Sequence, residues 1–176
     1  MVVAFVALAR VAALGAFSLI DEKFEHSEWV SRLYLPGGVN VLLSLAFGPL
    51  AALGVALGSL IWNLAFESLS IAAAVVLAVA SGLSCTLSLL FFSRVFPHWN
   101  MPLSLWRIGV FILAYAFFNT LVHSLGFQLV ELPDSVGFAE MAWMFVGDIL
   151  GACVLFIVAN GVTSAWIHMR SFSLRA

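Results

Sequence analysis

Apolar positions run through this chain in unbroken blocks, at about 2–20, 38–47, 49–66, 70–93, 108–130 and 140–167, with short polar stretches between them. Blocks of this length, without strand-like alternation or a charged face, predict helices that are apolar all round, as membrane spans are. The second and third blocks must be separated. Pro49 lacks an N–H and drives Gly48 out of the helical region, so Phe47-Gly48-Pro49 is predicted to be a turn. What precedes it, 39–47, is too short to cross a hydrocarbon core about 30 Å thick. A half-span at that depth must be covered by other protein or line a cavity, and in membrane proteins it often marks a binding site. The expectation is an all-α integral membrane protein, one transmembrane domain over 1–176, built as a six-helix bundle with a short second helix.

Composition agrees. Of the residues, 64% are hydrophobic and 9% charged, too few charges to give a soluble domain of this size a polar surface. The same figures exclude intrinsic disorder, a secreted disulfide scaffold and a nucleic-acid module. The first block has no basic residues before it and acids directly after it, so it reads as a first transmembrane helix, not a signal peptide.

The net charge of −2 says little, whereas the placement of charges orients the bundle. With the N-terminus inside, Arg94, Arg107, Arg170 and Arg175 fall on the inner side. Asp21, Glu22, Glu25, Glu28, Glu67, Glu131, Asp134 and Glu140 fall outside, with Lys23 and Arg32 as the outer basic residues. Six spans therefore satisfy the positive-inside rule and put both termini in the cytoplasm of a bacterial inner membrane. Trp29, Tyr34, Trp99, Trp106, Trp143 and Trp166 lie at or near predicted span ends, as an interfacial aromatic belt requires. Residues 22–34 read either as a helix lying on the outer surface or as a polar loop.

Catalytic machinery is not legible: there is no phosphate loop, no HExxH and no nucleophile elbow, so the chain is not read as an enzyme. Cys85 and Cys153 lie in apolar blocks and read as small buried residues. The aromatic stripe Phe91, Phe92, Phe96, Phe111, Phe117 and Phe118 reads as packing or lipid-facing surface, with a pigment or quinone contact as the alternative. No metal site is expected, and no cofactor is named by the sequence.

Ionisable residues at membrane depth are costly and so need a reason. Arg10 sits near the middle of the first span, and Asp148 about eight residues into the last, about 12 Å deep by helical rise. His123 matches that depth on the fifth span, with Asn119 on its face at i−4. A lone carboxylate there must be paired or neutral, so Asp148 is expected to contact His123 or Arg10. Two readings stand: Arg10, His123 and Asp148 form a structural polar cluster, or Asn40, Asn63, Asn119, His123 and Asp148 line an outward-opening ligand site. Pro36-Gly37-Gly38, ahead of Asn40, is expected to be a loop with free backbone groups, folded back into the protein or facing water. Small residues four apart (Ala9 and Ala13, Ala12 and Ala16, Gly54 and Gly58, Ala78 and Gly82, Gly147 and Gly151) suit close helix packing, within the chain or against another membrane protein.

Two stretches carry a resemblance. Tyr34-Leu-Pro-Gly-Gly-Val-Asn40, followed by Phe47-Gly-Pro-Leu-Ala-Ala-Leu-Gly-Val-Ala-Leu-Gly-Ser59, resembles a motif of the first bacterial membrane-associated sensor domain family. Trp143-Met-Phe-Val-Gly-Asp-Ile-Leu-Gly151 is similar to that family's Trp-x-x-Gly-Asp-Ala-x-Gly signature. The resemblance implies a multispan sensor of the kind that feeds diguanylate cyclases and histidine kinases. No output domain is read in these residues, so it would act with separate partner proteins. The six-span plan and the Gly-Pro turn also resemble the substrate-capture subunits of energy-coupling-factor vitamin transporters, which pack on a partner through small-residue faces. The expected function is a sensor-like or small-ligand-binding module; the alternative is a structural accessory subunit of a larger membrane complex. Expected contacts are membrane lipids and other membrane proteins.

Overall fold

The computed structural model describes residues 1–19, 25–27, 30–67, 69–96, 104–130 and 137–173. Among these residues six helices follow one another: α1 (Val2–Ser18), α2 (Leu35–Phe47), α3 (Pro49–Ala65), α4 (Ile71–Val95), α5 (Leu105–Leu129) and α6 (Phe138–Ser173). Between α1 and α2 a minimal antiparallel pair forms, β1 (Glu25–Ser27) on β2 (Val30–Ser31), with Glu25 opposite Ser31. This corrects the expectation for 22–34: its described part is a short ribbon, neither a surface helix nor a plain loop. Among the described residues, three helical stretches are long and apolar enough to cross a membrane, Ile71–Val95, Leu105–Leu129 and Phe138–Gly161, while α1, α2 and α3 are shorter.

The helices pack in the order α1, α3, α4, α5, α6, each against the next, and α2 sits among them in contact with all five. With 13 residues, α2 is about 20 Å long at about 1.5 Å per residue. One residue separates it from α3. Gly48 adopts φ 57°, ψ −137°, a conformation that side chains disfavour. Its N–H closes α2 on the Ser44 carbonyl (2.9 Å), while its carbonyl receives the Ala51 N–H (2.9 Å) and opens α3. Pro49 then starts α3, where its missing N–H costs nothing. The break predicted at Phe47-Gly48-Pro49 is present.

The start of α2 departs from expectation. Pro36, Gly37 and Gly38 form not a loop but the first turn of the helix, and all three are buried. Proline suits a first turn, and the two glycines have a tertiary purpose, since α6 lies directly against them. A Cβ at Gly38 would stand 2.7 Å from the Gly151 carbonyl oxygen and 2.8 Å from the Ala152 Cα. From the other side, a Cβ at Gly151 would overlap the Tyr34 carbonyl group. The Tyr34 N–H donates to the Gly147 carbonyl (3.0 Å), fixing the register of the two helices. Other small residues act likewise within the chain: Gly54 and Gly58 admit α1, and Gly82 admits α3. On α1, Ala12 and Ala16 remain exposed beside Leu8.

The bundle carries a polar set within an apolar core and is apolar on its outer faces. Arg10, Asn40, Ser44, Ser59, Ser81, Ser84, Ser88, Asn119, Thr120, Ser124 and Asp148 are all buried. The outer faces carry Phe5 and Leu8 on α1, Leu50, Leu53 and Leu57 on α3, Val75 and Val79 on α4, Leu113 and Phe117 on α5, and Leu150 and Ile157 on α6. Cys85 is buried as expected, but Cys153 is exposed on the outer side of α6. Of the aromatic stripe, Phe92 and Phe111 are core residues meeting edge to face at 5.3 Å. Phe91, Phe117 and Phe118 instead line an outer apolar groove of about 360 Å³ with Val110, Leu113 and Ala114.

Candidate functional site

The buried polar residues of α2, α5 and α6 form a directed chain. Asn40 Nδ2 donates to the Tyr115 hydroxyl (2.7 Å), which donates to Asn119 Oδ1 (3.4 Å). Asn119 Nδ2 then donates to Asp148 Oδ2 (2.8 Å). Every donor points toward the carboxylate, and successive bonds of one sense polarise one another in apolar surroundings. Tyr115 and Asn119 share one α5 face because they are four residues apart. Asp148 is brought opposite them by the glycine contacts of α6 with α2. The same approach seats its second oxygen, Oδ1, against Gly37, where a Cβ would collide with it.

Arg10 belongs to a second branch. Its Nη2 donates to the Tyr34 hydroxyl (2.8 Å) and its Nε to Ser59 Oγ on α3 (3.4 Å). Tyr34 joins the branches, because one edge of its ring lies by Gly37, next to Asp148, while its hydroxyl reaches Arg10. Phe17 packs edge-on against that ring at 5.8 Å. Arg10 is 3% exposed and Asp148 1%, so both side chains are out of water altogether.

The expected partnership of Asp148 is thus corrected. Its hydrogen bond goes to Asn119, and among the described residues neither His123 nor Arg10 bonds it directly. His123 lies one turn beyond Asn119, half-buried; its Nδ1 meets the Asn119 carbonyl (3.1 Å) and its Nε2 the Ser81 hydroxyl on α4 (3.3 Å). The carbonyl requires a proton on Nδ1, so Nε2 is the position left to accept from Ser81 or donate to it. Asn63 stands apart: half-buried on α3, it donates to the Ala74 carbonyl of α4 (3.4 Å). The structure therefore brings together Asn40, Asn119 and Asp148, attaches His123 through the Asn119 backbone, sets Arg10 on the adjoining branch and leaves Asn63 outside.

Two contributors were not anticipated. Tyr115 has a usable signal, as it continues the four-residue spacing of Asn119 and His123 on an otherwise apolar helix. Tyr34, assigned to the interfacial belt, points inward instead. These are the only two tyrosines in the chain, and both hydroxyls serve this cluster. Of the other belt residues, Trp106 is exposed and Trp143 carries Arg32 over its ring at 5.3 Å, while the side chains of Trp29, Trp99 and Trp166 lie outside the described residues.

Membrane-length apolar helices, an apolar exterior and buried charges define the class: a helical membrane protein. Comparison with known proteins agrees. The chain is 28% identical over 92 residues to the inner membrane-spanning protein YciB of Coxiella burnetii strain Dugway 5J108-111, a match covering 51% of each sequence. It is 28% identical over 88 residues to YciB of strain RSA 331 / Henzerling II, covering 48% of this chain and 49% of the relative. The match thus spans about half the length of these curated relatives. No family model matches, and no solved structure matches.

Proposed function

We propose that this chain is a multi-pass inner-membrane module that binds a small polar ligand in the cluster around Asp148 and acts through separate partner proteins. It works by binding, not by catalysis. One observation carries the reading. Among the described residues, Asp148, wholly buried, has one carboxyl oxygen bonded by Asn119 and the other without a partner, and the buried Arg10 guanidinium of the adjoining branch also keeps an unpartnered nitrogen. A site built only to hold helices together gains nothing from leaving such atoms unpaired, since each costs on the order of 1–3 kcal/mol or more.

Further support comes from the resemblance to membrane sensor domains. Its two motif stretches, 34–40 and 143–151, are far apart in sequence yet pack directly on one another, with Asp148 at their contact. The outward apolar faces of α1 and α3 support lipid contact for those shorter helices also. In this reading α2 and α3 together make one re-entrant passage, both termini are cytoplasmic, and Ala12 and Ala16 on α1 offer the partner-facing surface.

The competing reading, a structural accessory subunit, is favoured by the completed bonds from Asn40 through Asn119 to Asp148, which alone would tie α2 to α5 and α6. Asp148→Asn separates the two. For a ligand site, the variant purifies with nearly native thermal stability in detergent and loses ligand-induced stabilisation across a panel of small polar metabolites. For a structural tie, its stability or assembly falls and no compound in the panel protects the native protein. A reporter fused at Ala176 checks the orientation; a periplasmic readout would defeat the topology.

A further inference from the structure

The outer groove between α4 and α5 has a charged end. On α5, Arg107, Val110, Ala114 and Phe117 recur at spacings of three and four, so one helix face carries an arginine followed by three groove residues. On α4, Arg94 stands three residues after Phe91, one turn beyond the groove. The two helices run antiparallel: Arg107 lies over the Phe96 ring at 5.5 Å, while near the far end a Cβ at Gly126 would touch Leu77. Both guanidiniums therefore belong to the same end of the groove.

The groove itself is apolar throughout and stiffly walled. Phe91 meets Phe118 edge-on at 6.2 Å, and Phe118 meets Phe117 at 5.4 Å. Its volume of about 360 Å³ falls in the range of small-molecule sites, about 300–1,000 Å³. From Arg107 to Phe117 the helix rises about 15 Å, half of a hydrocarbon core about 30 Å thick. That is the depth of a single leaflet.

Charge narrows the occupant. No Asp or Glu occurs between Glu67 and Glu131, so neither α4 nor α5 supplies an acid for Arg94 and Arg107. A neutral quinone or pigment would fill the apolar part and leave the guanidiniums without a counter-charge. A second copy packed by two-fold symmetry on this face would gather four arginines at one level. An acyl chain joined to a phosphate answers both parts of the site.

We propose that the α4–α5 groove seats an anionic phospholipid, with one acyl chain along Phe91, Ala114 and Phe117 and the phosphate at Arg94 and Arg107. Arginine suits this role, since its planar N–H groups match phosphate oxygens in pairs. With both termini cytoplasmic, the lipid belongs to the inner leaflet. The site is independent of the Asp148 cluster on the other side of α5.

The test is native mass spectrometry of the purified chain in neutral detergent, with phosphatidylglycerol and phosphatidylcholine of identical acyl chains at equal concentration. One phosphatidylglycerol per chain is expected, held about 25-fold more tightly than phosphatidylcholine, at about five-fold per arginine. Arg94→Gln and Arg107→Gln should each remove about five-fold. Val110→Trp, which fills the groove and keeps both arginines, should weaken phosphatidylglycerol about ten-fold. Leu113→Trp does the same from the exposed side if Val110→Trp does not fold, and the wild-type comparison needs no variant. Equal binding of the two lipids by the native chain overturns the proposal. Unchanged phosphatidylglycerol binding in the tryptophan variant also overturns it, because the arginines would then attract headgroups with no chain seated. A dimer that forms as lipid is stripped, and that the tryptophan variant abolishes, assigns the face to a second copy instead. A periplasmic readout from the reporter at Ala176 would move the lipid to the other leaflet and leave the binding result standing.

Discussion

Two parts of the bundle bury polar side chains in opposite ways. Along α4, Ser81, Ser84, Thr86 and Ser88 each donate to the carbonyl four residues earlier, at 3.1, 2.7, 3.0 and 2.6 Å. Each has a partner inside its own helix before any neighbour arrives, and Ser81 alone of the four also meets α5, at His123 Nε2 (3.3 Å). Asn40 and Asp148 instead find their partners only across helices, in Tyr115 and Asn119, which also bond each other along α5. The α4 residues are compatible with many packings and mainly keep that face slim. The cross-helix chain is compatible with one arrangement of α2, α5 and α6. Polar content at depth is therefore not one property: what it specifies depends on whether the bonds leave the helix.

Substitutions can break that contrast. The largest effect is expected for Asn119→Leu, which strands the Asp148 carboxylate; destabilisation of about 3 kcal/mol follows from leaving a buried charged group unbonded. Thermal unfolding in detergent reads it, and a near-native result would remove Asp148 from the tie. Gly151→Ala comes next at about 2 kcal/mol, because its new methyl overlaps the Tyr34 backbone, which cannot swing aside as a side chain would. In a Cys153→Ser background, this variant should also speed maleimide labelling of the buried Cys85, since the α2–α6 seam opens toward it. Tyr115→Phe removes the middle of the chain while keeping the ring, and a loss of about 1 kcal/mol is expected for one cross-helix hydrogen bond. Ser84→Ala should cost less than about 0.5 kcal/mol, as a self-bonded hydroxyl holds no neighbour. Equal losses for Ser84→Ala and Tyr115→Phe would abolish the distinction.

The same distinction explains what the sequence disclosed. Helix blocks and the Gly48-Pro49 break were legible because hydropathy and proline act locally. The buried set was legible as well, since Arg10, Asn40, Asn119 and Asp148 stand out in apolar blocks. Pairing was not. Residue counts give depth along a helix but not its rotation, so His123 and Arg10 were expected to meet Asp148, whereas the rotation of α5 against α6 brings Asn119 to it. Pro36-Gly37-Gly38 misled for a related reason. Read locally they break a helix, whereas here the proline begins one and the glycines answer to α6, more than a hundred residues later in the chain.

That distance bears on how the protein is made. The short helix α2 leaves the ribosome with Asn40 and its first turn exposed, long before Tyr115, Asn119 and Asp148 exist to receive them. It is too short to rest across the bilayer by itself, and lipid offers its polar groups nothing. The single-residue joint at Gly48 keeps it tethered to α3, which can settle early against α1 through Gly54 and Gly58. Insertion of this chain must therefore end out of sequence order, with the second helix among the last to reach its place, once α5 and α6 have been delivered around it.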